Sequence, residues 1–177
     1  MSADERWDLV DQSGARLGRT HRRGDADWPG DGVFHVVAAT CVVRGDGRVL
    51  VTQRAAVKDH PLMWEFPAGS VLTGESSAEG ARRELGEETG LDAPVDHFSR
   101  VVRLREERAL VDIYLLRWCG DAALALDPDE VAAAKWVAWS DIDHLCHKRL
   151  MAGPWVCRLR AVAPELRAAA SIVAGRS

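Results

Sequence analysis

From Phe34 to Val43 the chain reads FHVVAATCVV, continuously apolar and β-branched apart from His35, Thr40 and Cys41. That pattern predicts a buried strand. Asp46-Gly47 then marks a turn, and Arg48–Arg54 reads as the returning strand. Upstream, residues 7–12 and 16–20 flank Ser13-Gly14-Ala15, which predicts an N-terminal hairpin over 7–20. The polar stretch Arg22–Gly32 reads as a loop, and so do residues 55–65. Ala78 to Gly90 is rich in Ala, Leu, Arg and Glu and stops at Thr89-Gly90, which predicts a helix with a glycine end. Residues 98–105 and 110–118 predict two strands joined around Glu106–Arg108. Lys135–Trp139 predicts a short strand, and Ser140 a cap for a helix starting at Asp141. An alanine-rich helix is predicted over 155–174, with Pro164 as a break or kink. Strands and helices mix without strict alternation, so the expected class is α/β, with helices layered on a mixed sheet.

The chain has 177 residues, which predicts one domain spanning 1–177. Apolar residues make up 47% and charged residues 28%, as in ordinary globular proteins. The net charge of −4 argues against a general nucleic-acid binder. It leaves room for a local basic pocket. The four cysteines, Cys41, Cys119, Cys146 and Cys157, show no zinc spacing. The opening residues lack the apolar core of a signal peptide, and no apolar run is long enough to span a membrane. The expected location is the cytoplasm, with reduced thiols.

The candidate chemistry lies in residues 69–91, GSVLTGESSAEGARRELGEETGL. Glu84, Glu87 and Glu88 stand at i, i+3 and i+4, on one face of the predicted helix. Three carboxylates this close repel one another unless a cation sits between them. Arg83 lies about 100° round the helix and compensates only in part. Hard divalent cations such as Mg²⁺ prefer clustered carboxylate oxygens, supplemented by water and phosphate. The face therefore points to metal-assisted phosphate chemistry. The alternative is a plain acidic, solvated helix face.

The full spacing decides between them. Gly69 is followed after five residues by Glu75. Seven more residues lead to Arg83-Glu84-Leu85-Gly86-Glu87-Glu88-Thr89-Gly90-Leu91. This resembles the Nudix box at every defining position, and the sequence resembles the Nudix hydrolase superfamily. The resemblance implies an α/β/α sandwich around a mixed sheet. It also implies a Mg²⁺-dependent pyrophosphohydrolase, with Mn²⁺ as a substitute, that cleaves a nucleoside diphosphate or other diphosphate linked to another moiety. Glu84, Glu87 and Glu88 become metal ligands, together with Gly69, read as a tight turn whose carbonyl reaches the metal. Glu87 and Glu88 also become catalytic, one of them holding or deprotonating the attacking water. Arg83 joins them and pairs with Glu75 to orient the helix.

Outside the box, Arg54 ends the preceding strand where relatives often place a phosphate-contacting arginine. Trp64 stands where the family often has a tryptophan and is a candidate pocket wall. Glu130, in Asp129-Glu130-Val131, resembles a late segment whose glutamate reaches the metal or the water. Arg54, Trp64 and Glu130 are thus the expected substrate-binding residues.

The segments around Trp7-Asp8-Leu9, Gly18–Gly24 and Phe34-His35 resemble isopentenyl-diphosphate isomerase and its Nudix relatives. That enzyme needs a cysteine in a Cys-His-Pro type segment. Cys41 lies in Ala-Thr-Cys-Val-Val and reads as a core residue. The isomerase remains an alternative, as does a non-catalytic nucleotide-binding module. Arg22-Arg23 reads as solvated loop in preference to a phosphate contact, and Arg103–Arg108 as a substrate wall or a charge-balanced turn. The expected partner is a small-molecule diphosphate, with no nucleic acid and no membrane. The C-terminal helix from Trp155 is a candidate homodimer surface.

Overall fold

The computed structural model describes residues 5–120 and 123–175. The first four residues and the last two of the expected 1–177 span lie outside the described residues, as do 121 and 122. The buried run forms β3 (His35–Arg44), preceded by a hairpin of β1 (Arg6–Val10) and β2 (Arg16–Arg22). The chain continues through β4 (Val49–Arg54), β5 (Trp64–Glu65), β6 (Ala68–Ser70) and α1 (Ser77–Thr89). It ends with β7 (Ser99–Arg105), β8 (Ala109–Trp118), β9 (Val131–Val137), α2 (Trp139–His147) and α3 (Gly153–Ala174).

Among the described residues, the main sheet is mixed and has seven strands. β3 runs parallel to β8 along its whole length, and β7 pairs antiparallel beyond β8. On the other side, β3 and β4 pair only at Val43 and Val49 and then part. β6 takes the vacated edge of β3, which sets Gly69 opposite Ala38. β4 pairs instead with β5 and β9.

Helices cover both faces. Ala38, Val42 and Leu50 pack with Ala81 and Leu85 of α1. Ala39, Cys41, Val43 and Val51 pack with Ile142 and Leu145 of α2 and with Trp155, Leu159 and Leu166 of α3. β3 is therefore covered on both sides, which is why its sequence does not alternate. Cys41 is fully buried in this second layer, and burial pushes its thiol pKa up.

Several boundaries differ from the sequence expectation, each for a long-range reason. β9 begins at Val131 and takes in three alanines, because β4 supplies its partner from Arg54 to Val49. Pairing overrides the weak strand propensity of alanine. Trp139 belongs to α2, which opens at Ala138; the Asp141 carboxylate accepts the Ala138 N–H at 2.9 Å. Ser140 is therefore not the cap. Two residues of the expected 55–65 loop form β5 against Gln53 and Thr52. Pro164 does not interrupt α3. A proline removes one helical hydrogen bond, but buried Leu159, Val162, Leu166 and Ala170 hold both halves on the sheet. Arg103 and Glu106 also have structural partners. Arg103 makes two 2.7 Å bonds to the fully buried Asp112, and Glu106 pairs with Arg158.

β1 lies over the start of β3. Trp7 stacks on His35, with ring centroids 4.4 Å apart, and Trp28 meets the same ring edge-on. Burial lowers the His35 pKa from 6.5 to about 4, and the charges of His21 and Arg23 add to the effect while Glu106 opposes it. A depressed histidine pKa gives stability that is complete above 6.5 and is lost as pH falls through 4. The shift corresponds to at most about 3 kcal/mol. The melting temperature should therefore drop more between pH 6.5 and 4 in the wild type than in His35→Phe, which keeps a ring against Trp7. Parallel pH curves would show that His35 is not buried in neutral form.

Candidate active site

The Nudix-box segment begins on β6, loops over residues 71–76 and enters α1. Ser76 caps the helix and Glu79 completes the capping box, its carboxylate accepting the Ser76 N–H at 2.7 Å. At the other end Gly90 adopts φ 72°, a conformation that favours glycine. The helix is thus fixed at both ends by local sequence, and its register sets which carboxylates face inward.

Arg83 organises the loop. Its Nε donates to Glu75 at 2.8 Å and its Nη2 to the Ser70 carbonyl at 2.8 Å. Nη1 donates to Glu84 at 2.8 Å and to Glu87 at 3.1 Å. Burial alone would lower the Arg83 pKa, but Glu75 and Glu84 outweigh it and keep the guanidinium charged. Glu75 also accepts the Leu72 N–H at 2.9 Å. The loop and the helix are therefore locked by one cation.

The three box glutamates have different surroundings. Glu87 is largely exposed. Glu84 is half-buried, and burial raises its pKa despite the opposing charge of Arg83. Glu88 is 5% exposed, and its Oε2 is buried with no hydrogen-bond partner. Burial pushes its pKa well up, with the charges of Glu65 and Glu84 adding to the effect, while Lys58 and Arg54 oppose it.

These groups open into a cavity of about 290 Å³ lined by Glu5, Glu84, Glu87, Glu88, Asp127 and Glu130, together with Arg83 and Leu72. Glu130 is therefore brought to the box carboxylates, where it forms an ion pair with Lys58. Arg54 is not among the residues that line this cavity and donates to Glu65 at 2.7 Å.

Gly69 is not a turn residue. It lies in extended β6, and its small size serves a different end. A Cβ built there would stand 2.0 Å from the Glu84 carboxyl carbon. The absence of a side chain is what lets the Glu84 carboxylate rest against the backbone of β6.

Trp64 does not join this group. Glu65, next to it on β5, reaches Arg54, while Trp64 packs with the α2–α3 layer beneath Lys135, whose Nζ is 4.0 Å from the ring centre. The strand alternation that sends Glu65 toward the carboxylates sends Trp64 to the opposite face.

Sequence reasoning missed Glu65, Lys58, Glu5 and Asp127. Glu65 left one signal, a charge inside the apolar run Met63–Phe66. Glu5 and Asp127 line the cavity, and Lys58 meets Glu130, only through long-range folding.

Among the described residues, no three Asp, Glu, His or Cys side chains stand in a ready ligating arrangement. Arg83 draws two of the box carboxylates to itself. The donor set nevertheless fits a hard divalent cation. All its atoms are oxygens, Glu84 sits in a niche that only glycine allows, and a buried Glu88 oxygen lacks a partner.

The comparisons agree with this architecture. A family model described as NUDIX domain matches residues 33–155. The chain is 30% identical over 144 residues to an uncharacterised Nudix hydrolase of Listeria monocytogenes, covering 80% of this chain and 84% of that one. It is 29% identical to an isopentenyl-diphosphate Δ-isomerase of Halobacterium salinarum, covering 71% and 65% of the two chains. The crystal structure of DR0079 from Deinococcus radiodurans superposes with a TM-score of 0.69 at 22% identity, over 89% of this chain and 98% of that one. The fold is thus the Nudix fold, and the chain belongs to the Nudix family. Within that family it is a hydrolase acting on phosphoric anhydride bonds.

Proposed function

We propose that the protein is a Mg²⁺-dependent pyrophosphohydrolase that cleaves a diphosphate linked to a nucleoside or another moiety. The observation that carries this reading is the unpartnered, buried Oε2 of Glu88, set beside Glu84 in a cavity lined almost wholly by carboxylates. Burying such a group without a counter-charge is costly, and a cation bound there removes the cost.

Glu84, Glu87 and Glu88, with the Gly69 carbonyl, would hold Mg²⁺, and Mn²⁺ would substitute. When bound, the cation neutralises diphosphate charge and lowers the pKa of bound water. The protein's own groups do the rest. Glu87 or Glu88 takes the proton as water oxygen attacks phosphorus. The new P–O bond forms as the bridging P–O bond breaks, and the second phosphate leaves with the electron pair. Arg83 is a positioning residue, because it ties α1 to the Glu75 loop and sets the Glu84 carboxylate. Arg54 and Glu130 would contact the substrate or its water. Trp64, on the opposite face of the sheet, would contribute only to a substrate that extends round the β5 edge.

The hairpin and the C-terminal helix are read as parts of the same domain, acting in the cytoplasm on a small molecule. Among the described residues, no helix is long and apolar enough to cross a membrane. The isomerase alternative lacks its thiol. Cys41 is fully buried in the layer opposite α1, and burial raises its pKa. A non-catalytic module would have no use for the complete carboxylate set.

The test is a Mg²⁺-dependent hydrolysis panel of ADP-ribose, nucleotide sugars, dinucleoside polyphosphates, NADH, CoA, nucleoside triphosphates and isopentenyl diphosphate. Products would be identified by mass. Cleavage within one diphosphate class, abolished by chelation, is the expected result. Rearrangement of isopentenyl diphosphate, or silence across the panel with folded protein, would overturn the reading.

A further inference from the structure

A second cavity, of about 550 Å³, lies between the loop that joins β4 to β5 and the connection from α2 into α3. It shares no lining residue with the carboxylate cavity. β5 ties its two walls together. The Trp64 N–H donates to the Leu150 carbonyl at 2.8 Å, and the Ala152 N–H donates to the Trp64 carbonyl at 2.8 Å.

The polarity of this lining is opposite to that of the active-site cavity. The chain carries a net charge of −4, yet none of the described residues lining this cavity is a carboxylate. Its charged side chains are Arg149 and Arg160. Among the described residues, neither guanidinium has a hydrogen-bond or ion-pair partner. Elsewhere on α3, Arg158 holds Glu106 and Arg167 holds Asp143. Two cations that face one cavity without a counter-charge repel each other, and an anion bound between them removes that cost. The imidazoles of His60 and His147 add N–H donors to the same cavity.

The rest of the wall is apolar and pliant. Met63, Met151 and Val156 supply it, and methionine side chains adapt to ring surfaces. A cavity of this size takes a small organic molecule. It is far larger than a bare inorganic anion needs.

The backbone at Arg149 adds an independent observation. α2 ends in a Schellman turn, in which the Leu150 N–H donates to the Leu145 carbonyl at 2.9 Å and the Arg149 N–H to the Cys146 carbonyl at 3.1 Å. Arg149 adopts φ 57° there, the left-handed conformation that glycine usually fills. Arginine strains this position, and glycine would not. The chain therefore keeps a guanidinium in the cavity at a cost to the fold.

We propose that this cavity is a binding site for a phosphomonoester with a flat apolar body. Arg149 and Arg160 take the doubly charged head, because the arginine fork matches phosphate oxygens. Met63, Met151 and Val156 take the ring. The site is separate from the metal centre and needs neither metal nor turnover.

The test is calorimetric titration of naphthyl phosphate, naphthol and inorganic phosphate into the full chain. EDTA in the buffer keeps divalent metal out of the carboxylate cavity. Wild type should bind naphthyl phosphate at least about tenfold more tightly than either half of it. Arg149→Gly and Arg160→Gln should each lose about tenfold, the scale of one charge-assisted contact. Arg149→Gly is decisive, because it relieves the left-handed strain. Its melting temperature should equal or exceed that of the wild type, so its lost affinity cannot come from a damaged fold. Arg160→Gln checks the opposite side of the cavity without touching the turn.

Full affinity in either variant overturns the site. So does a wild type that binds naphthol or inorganic phosphate as tightly as naphthyl phosphate, or that binds none of the three. Arg149→Gly melting below the wild type would show that the arginine serves the turn, which removes it from the site. A wild-type dimer that both variants split into monomers on sedimentation would make a second copy of the chain the occupant, and would overturn the small-molecule site as well.

Discussion

Glu88→Gln should lower kcat by at least about a hundredfold, the scale of lost general-base or metal-positioning function. The substitution keeps the shape of the side chain and removes its charge. It therefore leaves the packing of α1 on the sheet intact. Its effect on stability should run the opposite way. Glu88 is buried, has an orphaned oxygen, and feels Glu65 and Glu84. A carboxyl whose pKa is raised by folding destabilises the native state as pH climbs above its ordinary value of 4.5. At pH 8 without metal, the glutamine variant should melt at or above the wild-type temperature. With Mg²⁺ added, the wild type should gain stability and the variant should not. Kinetics and paired melting curves, with and without Mg²⁺, check both halves. An unchanged kcat on a good substrate would remove Glu88 from the centre.

Gly69→Ala should also cost about a hundredfold in kcat, through a different route. The new methyl would fall 2.0 Å from the Glu84 carboxyl carbon, well inside contact distance. The backbone of β6 is held by its pairing with β3, so the Glu84 carboxylate is the partner that moves. It is the far end of a flexible side chain and can swing toward solvent at little cost to the fold. A displacement of an ångström at a reacting centre is enough for a loss of this size. The melting temperature without metal should shift by only a few degrees, while the Mg²⁺ concentration needed for half-maximal rate rises. A variant that unfolds, or one with normal metal dependence, would show that Gly69 serves the strand and not the carboxylate.

These two positions also show what was legible in the sequence. The box spacing led directly to Glu84, Glu87, Glu88 and the Arg83–Glu75 pair, because those residues sit on one helix and its own loop. The β3 run and the glycine end of α1 were readable as local patterns, whereas the Ser76–Glu79 capping box at its start was not read. Gly69 was expected in a turn and lies in β6 instead, since the Glu84 carboxylate that needs its small size is fifteen residues away and a turn was the nearest local explanation. Trp64 and Glu65 are adjacent, and only the strand pairing of β5 with β4 reveals that they face opposite layers. β9 was shortened because three alanines carry no strand signal without β4 beside them. Glu5 lines the cavity from just ahead of β1, and Lys58 meets Glu130 from the stretch after β4 that reads as a loop. Both placements are a property of topology, in which β3 parts from β4 and the hairpin closes over the box loop.

The central claim is that the carboxylate cavity is a metal centre. The most direct measurement is the electron paramagnetic resonance of free Mn²⁺ titrated with wild-type protein, Glu84→Gln and Glu88→Gln. The account predicts that the wild type depletes the free-ion signal and that Mg²⁺ restores it by competition, while both variants leave most of the signal in solution. Equal depletion by all three proteins would place the metal elsewhere and contradict the account.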